Sequence, residues 1–244
     1  MEMKEQLAVR FIGHSTFLLH SPGGRDILID PWIASNPSCP DEAKKIEKLD
    51  LLLITHGHGD HMPEAVSLAR EHRPWIVCNF EISHWLGLKG VSERLVGMNK
   101  GGTAEVEGIK VTMVDAKHSS SIAEDDGSLT YAGEAAGYVI EFENGYRIYH
   151  AGDTSVFGDM RLIGEIYRPD LALLPIGDHF TMGPLEAAHA CRLLGVKKVI
   201  PMHFSTFPVL TGRPTHLRDR VSGLGVEVID LDPGQTLTIG QAGI

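Results

Sequence analysis

The chain has 244 residues, of which 43% are hydrophobic and 22% charged, with a formal net charge of -10 when the histidines are neutral. This composition is that of an ordinary globular chain, and it excludes a fibrous or disordered protein. The acidic balance argues against phosphate backbones and anionic membranes as partners, although a bound cation can reverse the field locally.

Short apolar runs over Leu7–Ile12, Thr16–Leu19 and Arg25–Ile29 predict strands, separated by turn signals at Gly13 and at Pro22-Gly23-Gly24. Leu51–Ile54 reads as a buried strand, and Pro63 opens a helical pattern over Glu64–Glu71. Thr55–Met62 is therefore a strand-to-helix loop. Further on, Ile109–Val114, Tyr138–Phe142 and Arg147–Tyr149 predict strands, the last two joined by an Asn144-Gly145 hairpin. Between the first two, Ser119–Gly133 is rich in Ser, Asp, Glu and Gly and predicts a surface loop beside the site. Leu171–Leu174 is another buried strand. A helix runs from Pro184 to about Leu194, capped by Gly195, and Lys198–Ile200, Val226–Ile229 and Thr236–Ile239 complete the strands. Hairpins and strand–helix units recur in both halves, which predicts a single α/β domain over 1–244 with two sheets and helices outside them.

Cys39, Cys78 and Cys191 are isolated, which fits reduced thiols better than a disulfide framework. The N-terminal segment carries no basic-then-apolar secretory pattern, and the apolar runs are too short to cross a bilayer. A cytoplasmic protein is the expectation, without a membrane or nucleic-acid partner and with oligomerisation open.

Thirteen histidines are many for this length, and they cluster. Thr55-His56-Gly57-His58-Gly59-Asp60-His61 places four ligand-type side chains in one loop between a strand and a helix. Imidazole and carboxylate are what zinc, iron and manganese accept from proteins, and a loop anchored at both ends can hold such ligands tightly. The alternating Gly57 and Gly59 are expected to supply unusual backbone angles.

His56-x-His58-x-Asp60-His61 resembles the signature of the metallo-β-lactamase superfamily. His118, Asp153 in His150-Ala151-Gly152-Asp153-Thr154, and His203 in Pro201-Met202-His203 match the remaining ligands in order. Gly13-His14-Ser15, Pro175-Ile176-Gly177 and Met202-His203-Phe204 resemble a prokaryotic branch of metal-dependent hydrolases. That branch is similar to lactonases of sugar-acid phosphates and to phospholipases cleaving N-acyl phosphatidylethanolamine. The resemblance implies a four-layer αββα sandwich and two divalent ions, zinc first, with manganese, iron or nickel compatible. It places His56, His58 and His118 on one ion, Asp60, His61 and His203 on the other, and Asp153 between them. A hydroxide bridging the ions would attack a small ester, lactone or phosphodiester, with Asp60 orienting it.

Asp30, before Pro31, reads as a carboxylate orienting a ligand histidine, as the resemblance implies, or as a turn residue. His14 reads equally as a pocket residue that donates to a substrate oxyanion or as part of a turn. Asp178, beside His179, falls in a loop expected to cross the site mouth, and Thr181 is a candidate cap for the helix at Pro184. His150 is expected to be structural. The alternatives are a nuclease of the same superfamily, disfavoured by the acidic charge, and a non-catalytic metal-binding scaffold. Di-iron redox chemistry is disfavoured because His58 stands where such enzymes carry Glu.

Overall fold

The computed structural model describes residues 6–240. The first half begins as an antiparallel meander of β1 (Leu7–Gly13), β2 (Thr16–His20) and β3 (Asp26–Ile29). It continues with parallel strands β4 (Leu51–Leu53), β5 (Trp75–Asn79) and β6 (Leu95–Met98), joined through helices α1 (Ala65–His72) and α2 (Phe80–Leu88).

The second half repeats this plan. Strands β7 (Thr103–Val106) and β8 (Ile109–Asp115) are followed by a separate hairpin, β9 (Ser121–Ala123) and β10 (Leu129–Tyr131). Strands β11 (Ala136–Glu141) and β12 (Arg147–His150) complete the antiparallel part. Helix α3 (Met160–Tyr167), β13 (Leu171–Pro175), α4 (Pro184–Leu194), β14 (Lys198–Met202), α5 (Pro214–Val221) and β15 (Glu227–Val228) form the parallel part. Finally β16 (Thr236–Ile239) returns to pair antiparallel with β1. The sheets therefore run β16-β1-β2-β3-β4-β5-β6 and β15-β14-β13-β12-β11-β8-β7.

Side-chain alternation along the strands builds the layers. Leu51, Leu53 and Val77 point into the core between the sheets. Their neighbours Leu52, Ile54, Ile76 and Cys78 point outward, onto Ala65, Leu68 and Ala69 of α1 and Ile82 and Leu86 of α2. Strands covered on both faces read as continuous apolar runs, as Leu51–Ile54 and Leu171–Leu174 do. Each large aliphatic side chain so buried contributes about 1.5–3 kcal/mol. Tyr138, fully buried between the sheets, donates its hydroxyl to Ile54 O at 2.7 Å. The result is the αββα sandwich.

Some local expectations change. Residues 119–133 are not an open loop, because β9 and β10 pair through a turn at Gly127 (φ 82°), with Gly127 N donating to Glu124 O. The Asp126-Gly127 dipeptide is the hairpin signal within that polar stretch. Pro63 precedes the helix rather than opening it, since α1 begins at Ala65 with Glu64 as its cap. Gly183, not Thr181, caps α4, its N–H donating to Glu186 Oε2. Neither Gly57 nor Gly59 has a left-handed φ. Gly57 is required for space instead, as a Cβ there would lie 2.6 Å from Ala132 Cβ and 2.9 Å from Ile122 Cγ1.

Candidate metal centre

Six chain segments deliver the site, each just beyond the C-terminal end of a strand. His14 follows β1, Asp30 follows β3, and His56–His61 follow β4. His118 follows β8, Asp153 follows β12, and His203 follows β14. Three of these residues hold left-handed backbones: His14 (φ 58°), Asp30 (φ 51°) and His203 (φ 54°). Such conformations are uncommon outside glycine and collect at functional sites, where the surrounding packing holds them. Gly152 (φ 61°) turns the chain toward Asp153, and a Cβ there would lie 2.5 Å from Ala136 O.

Three overlapping groups of ligand-type atoms form, one of them Asp30, His56 and His61, and the other two flank Asp153. His56, His58 and His118 can bring one nitrogen each within 4.8 Å of one another, and so can an atom each from His14, Asp60, His61 and His203. Asp153 lies between the groups. Its Oδ2 is 3.0 Å from His203 Nε2 and 3.3 Å from His61 Nε2 on one side. On the other it is 3.7 Å from His118 Nε2 and 3.9 Å from His56 Nε2. His56, His61 and His203 are fully buried, whereas His58, His118 and Asp60 are half-buried and form the open face.

Asp30 is wholly buried and organises two of the imidazoles. Its Oδ2 accepts from His61 Nδ1 at 2.8 Å and from Thr55 Oγ1 at 2.7 Å, and its Oδ1 accepts from Thr55 N at 2.8 Å. Thr55 Oγ1, its proton committed to Asp30, accepts in turn from His56 Nδ1 at 2.9 Å. Both histidines are thereby oriented with Nε2 toward Asp153. A carboxylate or hydroxyl behind an imidazole is the usual way to fix a metal ligand's tautomer and direction.

The electrostatics follow from burial against charge. Burial, with the charge of His61 beside it, pushes His56 well below the ordinary histidine range, and burial also lowers His58 and His118. Burial pulls His61 down too, but Asp153 and Asp30 overrule it and raise it well above. Burial alone would raise Asp153, yet His203 and His61 hold it well below the carboxylate range. Asp60 follows the same pattern, with His14 and His61 outweighing its burial. His14 is lowered to about 4 by burial, against the pull of Asp60.

The donor set fits divalent cations on its own chemistry. Nε2 of His14, His61 and His203, and Oδ1 of Asp153, are buried and make no well-directed hydrogen bond, although the three nitrogens crowd the carboxylate oxygens of Asp60 and Asp153. Buried polar atoms left in that state are costly unless an ion or water engages them, and these converge on one another.

Asp178 takes no part in these contacts. It is exposed, with φ 67°, and its Oδ1 accepts from His179 N. Its loop nevertheless lies beside the site, because Met182 N donates to Thr154 O at 2.9 Å. His150 is structural, as expected. Its Nε2 donates to Ser15 O at 3.0 Å and its Nδ1 accepts from Gly152 N at 3.1 Å, so both nitrogens are used. Sequence reasoning missed Thr55 and Thr206, whose hydroxyls back His56 and His14. A threonine directly before the first motif histidine was the available signal for Thr55, whereas Thr206 is joined to His14 only by the fold.

Residues 25–204 match the β-lactamase superfamily domain. The chain is 52% identical over 238 residues to a UPF0173 metal-dependent hydrolase of Rubrobacter xylanophilus, covering 97% of this chain and 98% of that one. It is 50% identical to a second such protein from Koribacter versatilis, covering 94% and 97%. Among solved structures it resembles Igni18, a metallo hydrolase from the hyperthermophilic archaeon Ignicoccus hospitalis. The TM-score is 0.84 at 34% identity, over 98% of this chain and 100% of that one.

Proposed function

The chain belongs to the UPF0173 metal-dependent hydrolase family of the β-lactamase superfamily, and on that premise we propose that it is a dinuclear hydrolase of small esters, lactones or phosphodiesters. The observation that carries the reading is the position of Asp153, whose Oδ2 lies within 4 Å of an imidazole nitrogen from each ligand group. His56, His58 and His118 would hold one ion and Asp60, His61 and His203 the other, with Asp153 within reach of both groups. The His/Asp donor set suits zinc, and it accepts manganese, iron or nickel. Divalent ions held there supply an acidified water and a positive charge for the oxygen under attack.

The protein's own part is orientation. Asp60 stays a carboxylate throughout the neutral range, so it can accept a hydrogen bond from the attacking water and fix its direction. Asp30 and Thr55 keep the His61 and His56 rings aimed inward. The half-buried face of His58, His118 and Asp60 is where the substrate meets the site. Asp178 has no role in this reading. The charge of -10 favours a small molecule over nucleic acid as partner, and a cytoplasmic location belongs to the same reading. Among the described residues no helix is long and apolar enough to cross a membrane.

The test is hydrolysis of a nitrophenyl phosphodiester, a simple lactone and a nitrophenyl ester by protein reconstituted with zinc or manganese. His58→Ala serves as the control. Metal-dependent cleavage that His58→Ala lacks supports the reading, and the preferred bond selects the substrate class. Equal cleavage by metal-free His58→Ala protein would overturn it.

A further inference from the structure

The two buried histidines outside the family ligand motif behave differently. His150 satisfies both nitrogens with backbone groups, which is what a structural histidine does. His14, equally buried, satisfies only one. Its Nδ1 lies 2.9 Å from Thr206 Oγ1. That hydroxyl has Phe204 O at 3.4 Å to donate to, which leaves it free to accept the Nδ1–H. The other nitrogen, Nε2, is buried, and its polar neighbour is Asp60 Oδ2 at 3.3 Å, a contact without the geometry of a good hydrogen bond.

With the proton on Nδ1, the lone pair of a fully buried nitrogen faces an oxygen of the half-buried Asp60 carboxylate. Two acceptors in that position repel one another unless they share a cation. The Nε2 atoms of His61 and His203 are likewise buried without a well-directed hydrogen bond, each crowding Asp153 Oδ2, and His14, Asp60, His61 and His203 form one ligand-competent group. The wiring repeats that of His56, whose Nδ1 is backed by Thr55 as that of His14 is by Thr206. The backbone supports it too, since His203 N donates to His14 O at 2.7 Å and ties the two residues together.

We propose that His14 is a protein ligand of the second ion, binding through Nε2 beside Asp60, His61 and His203, with Thr206 fixing its tautomer. This rests on the dinuclear reading. It makes the centre unequal: the second ion would have one more protein ligand than the first, drawn mostly from fully buried residues, so it would bind more tightly and exchange more slowly.

The test is titration of the metal-free full chain with zinc by calorimetry and with cobalt(II) by visible absorption. The native chain is expected to bind two ions with distinct affinities. His14→Gln should weaken the tighter ion by at least about 100-fold, beyond the 10–100-fold typical of residues that only orient a ligand, and leave the weaker ion unchanged. The cobalt bands of the tighter site should intensify as its coordination number falls. His14→Asn repeats the measurement with a residue that tolerates the left-handed backbone, so a disturbed turn is separated from a lost ligand. Thr206→Val should produce a smaller weakening of the same ion, about 10-fold. Unchanged affinities and an unchanged cobalt spectrum in His14→Asn would overturn the assignment, and a turnover defect alone would make His14 a substrate contact instead. Fewer than two ions on the native chain would overturn the dinuclear reading itself.

Discussion

The His56–His58–His118 group opens to solvent through two of its three members, whereas His61, His203 and His14 are sealed and only Asp60 is partly exposed. The open group contains no carboxylate, and its imidazoles are pushed toward neutrality by burial, with the charge of neighbouring His61 adding to it at His56 and His58. The sealed group contains Asp60 and surrounds His61 with Asp30 and Asp153, which hold that imidazole charged. A neutral, half-wet pocket can lose a member cheaply. A sealed and charged one cannot, because whatever remains is left as buried charge.

Asp153→Asn is expected to have the largest effect, because it removes the oxygen common to both groups. Metal content should fall below one ion per chain. Turnover should fall by more than the about 10²–10³-fold that loss of a single transition-state donor costs elsewhere. Elemental analysis and kinetics on one preparation check this, and two ions retained at full affinity would remove Asp153 from its shared position. The comparison itself is sharpened by His61→Ala against His58→Ala in metal-free protein. His61→Ala leaves Asp30 and Asp153 buried without their counter-charge and should cost about 3–5 kcal/mol in urea unfolding. His58→Ala should stay within about 0.5 kcal/mol of native. Equal costs would show that the two pockets are electrostatically alike.

Asp30→Asn comes next. It leaves the ligands in place but weakens the hold on His61, so the sealed ion should bind about 10–100-fold less tightly, as competition with a chelator would measure. Cys191→Ser should have the smallest effect. Cys191 is buried on α4 among core residues, and both metal affinities and turnover should be native. A loss of either would tie the helical layer to the site.

The cluster that the fold brings together could largely be read from the residues, because the candidate ligands stand at the ends of apolar runs, and such runs mark buried strands. His56 to His61, His118, Asp153 and His203 all follow that rule. The joining of His14 to Asp60 and His203 could not be read, since nothing local in Gly13-His14-Ser15 indicates a partner about 190 residues away. That partner arrives only when β14 packs against the turn after β1. The same limit explains the elements that were missed. Helix α2 exposes Phe80 and Leu88, which blurs its helical periodicity, and α3 buries only Met160 and Ile163 in eight residues. The β9–β10 hairpin was hidden by a polar composition that masked its Asp-Gly turn.

Strand β16 completes the first sheet from the far end of the chain. Until the ribosome has released residues 236–239, β1 is an edge strand with its backbone donors and acceptors open to any passing chain. The aggregation risk of this chain is accordingly greatest in products cut short between residues 204 and 235, which hold every residue of the candidate metal centre and still lack the strand that closes the sheet.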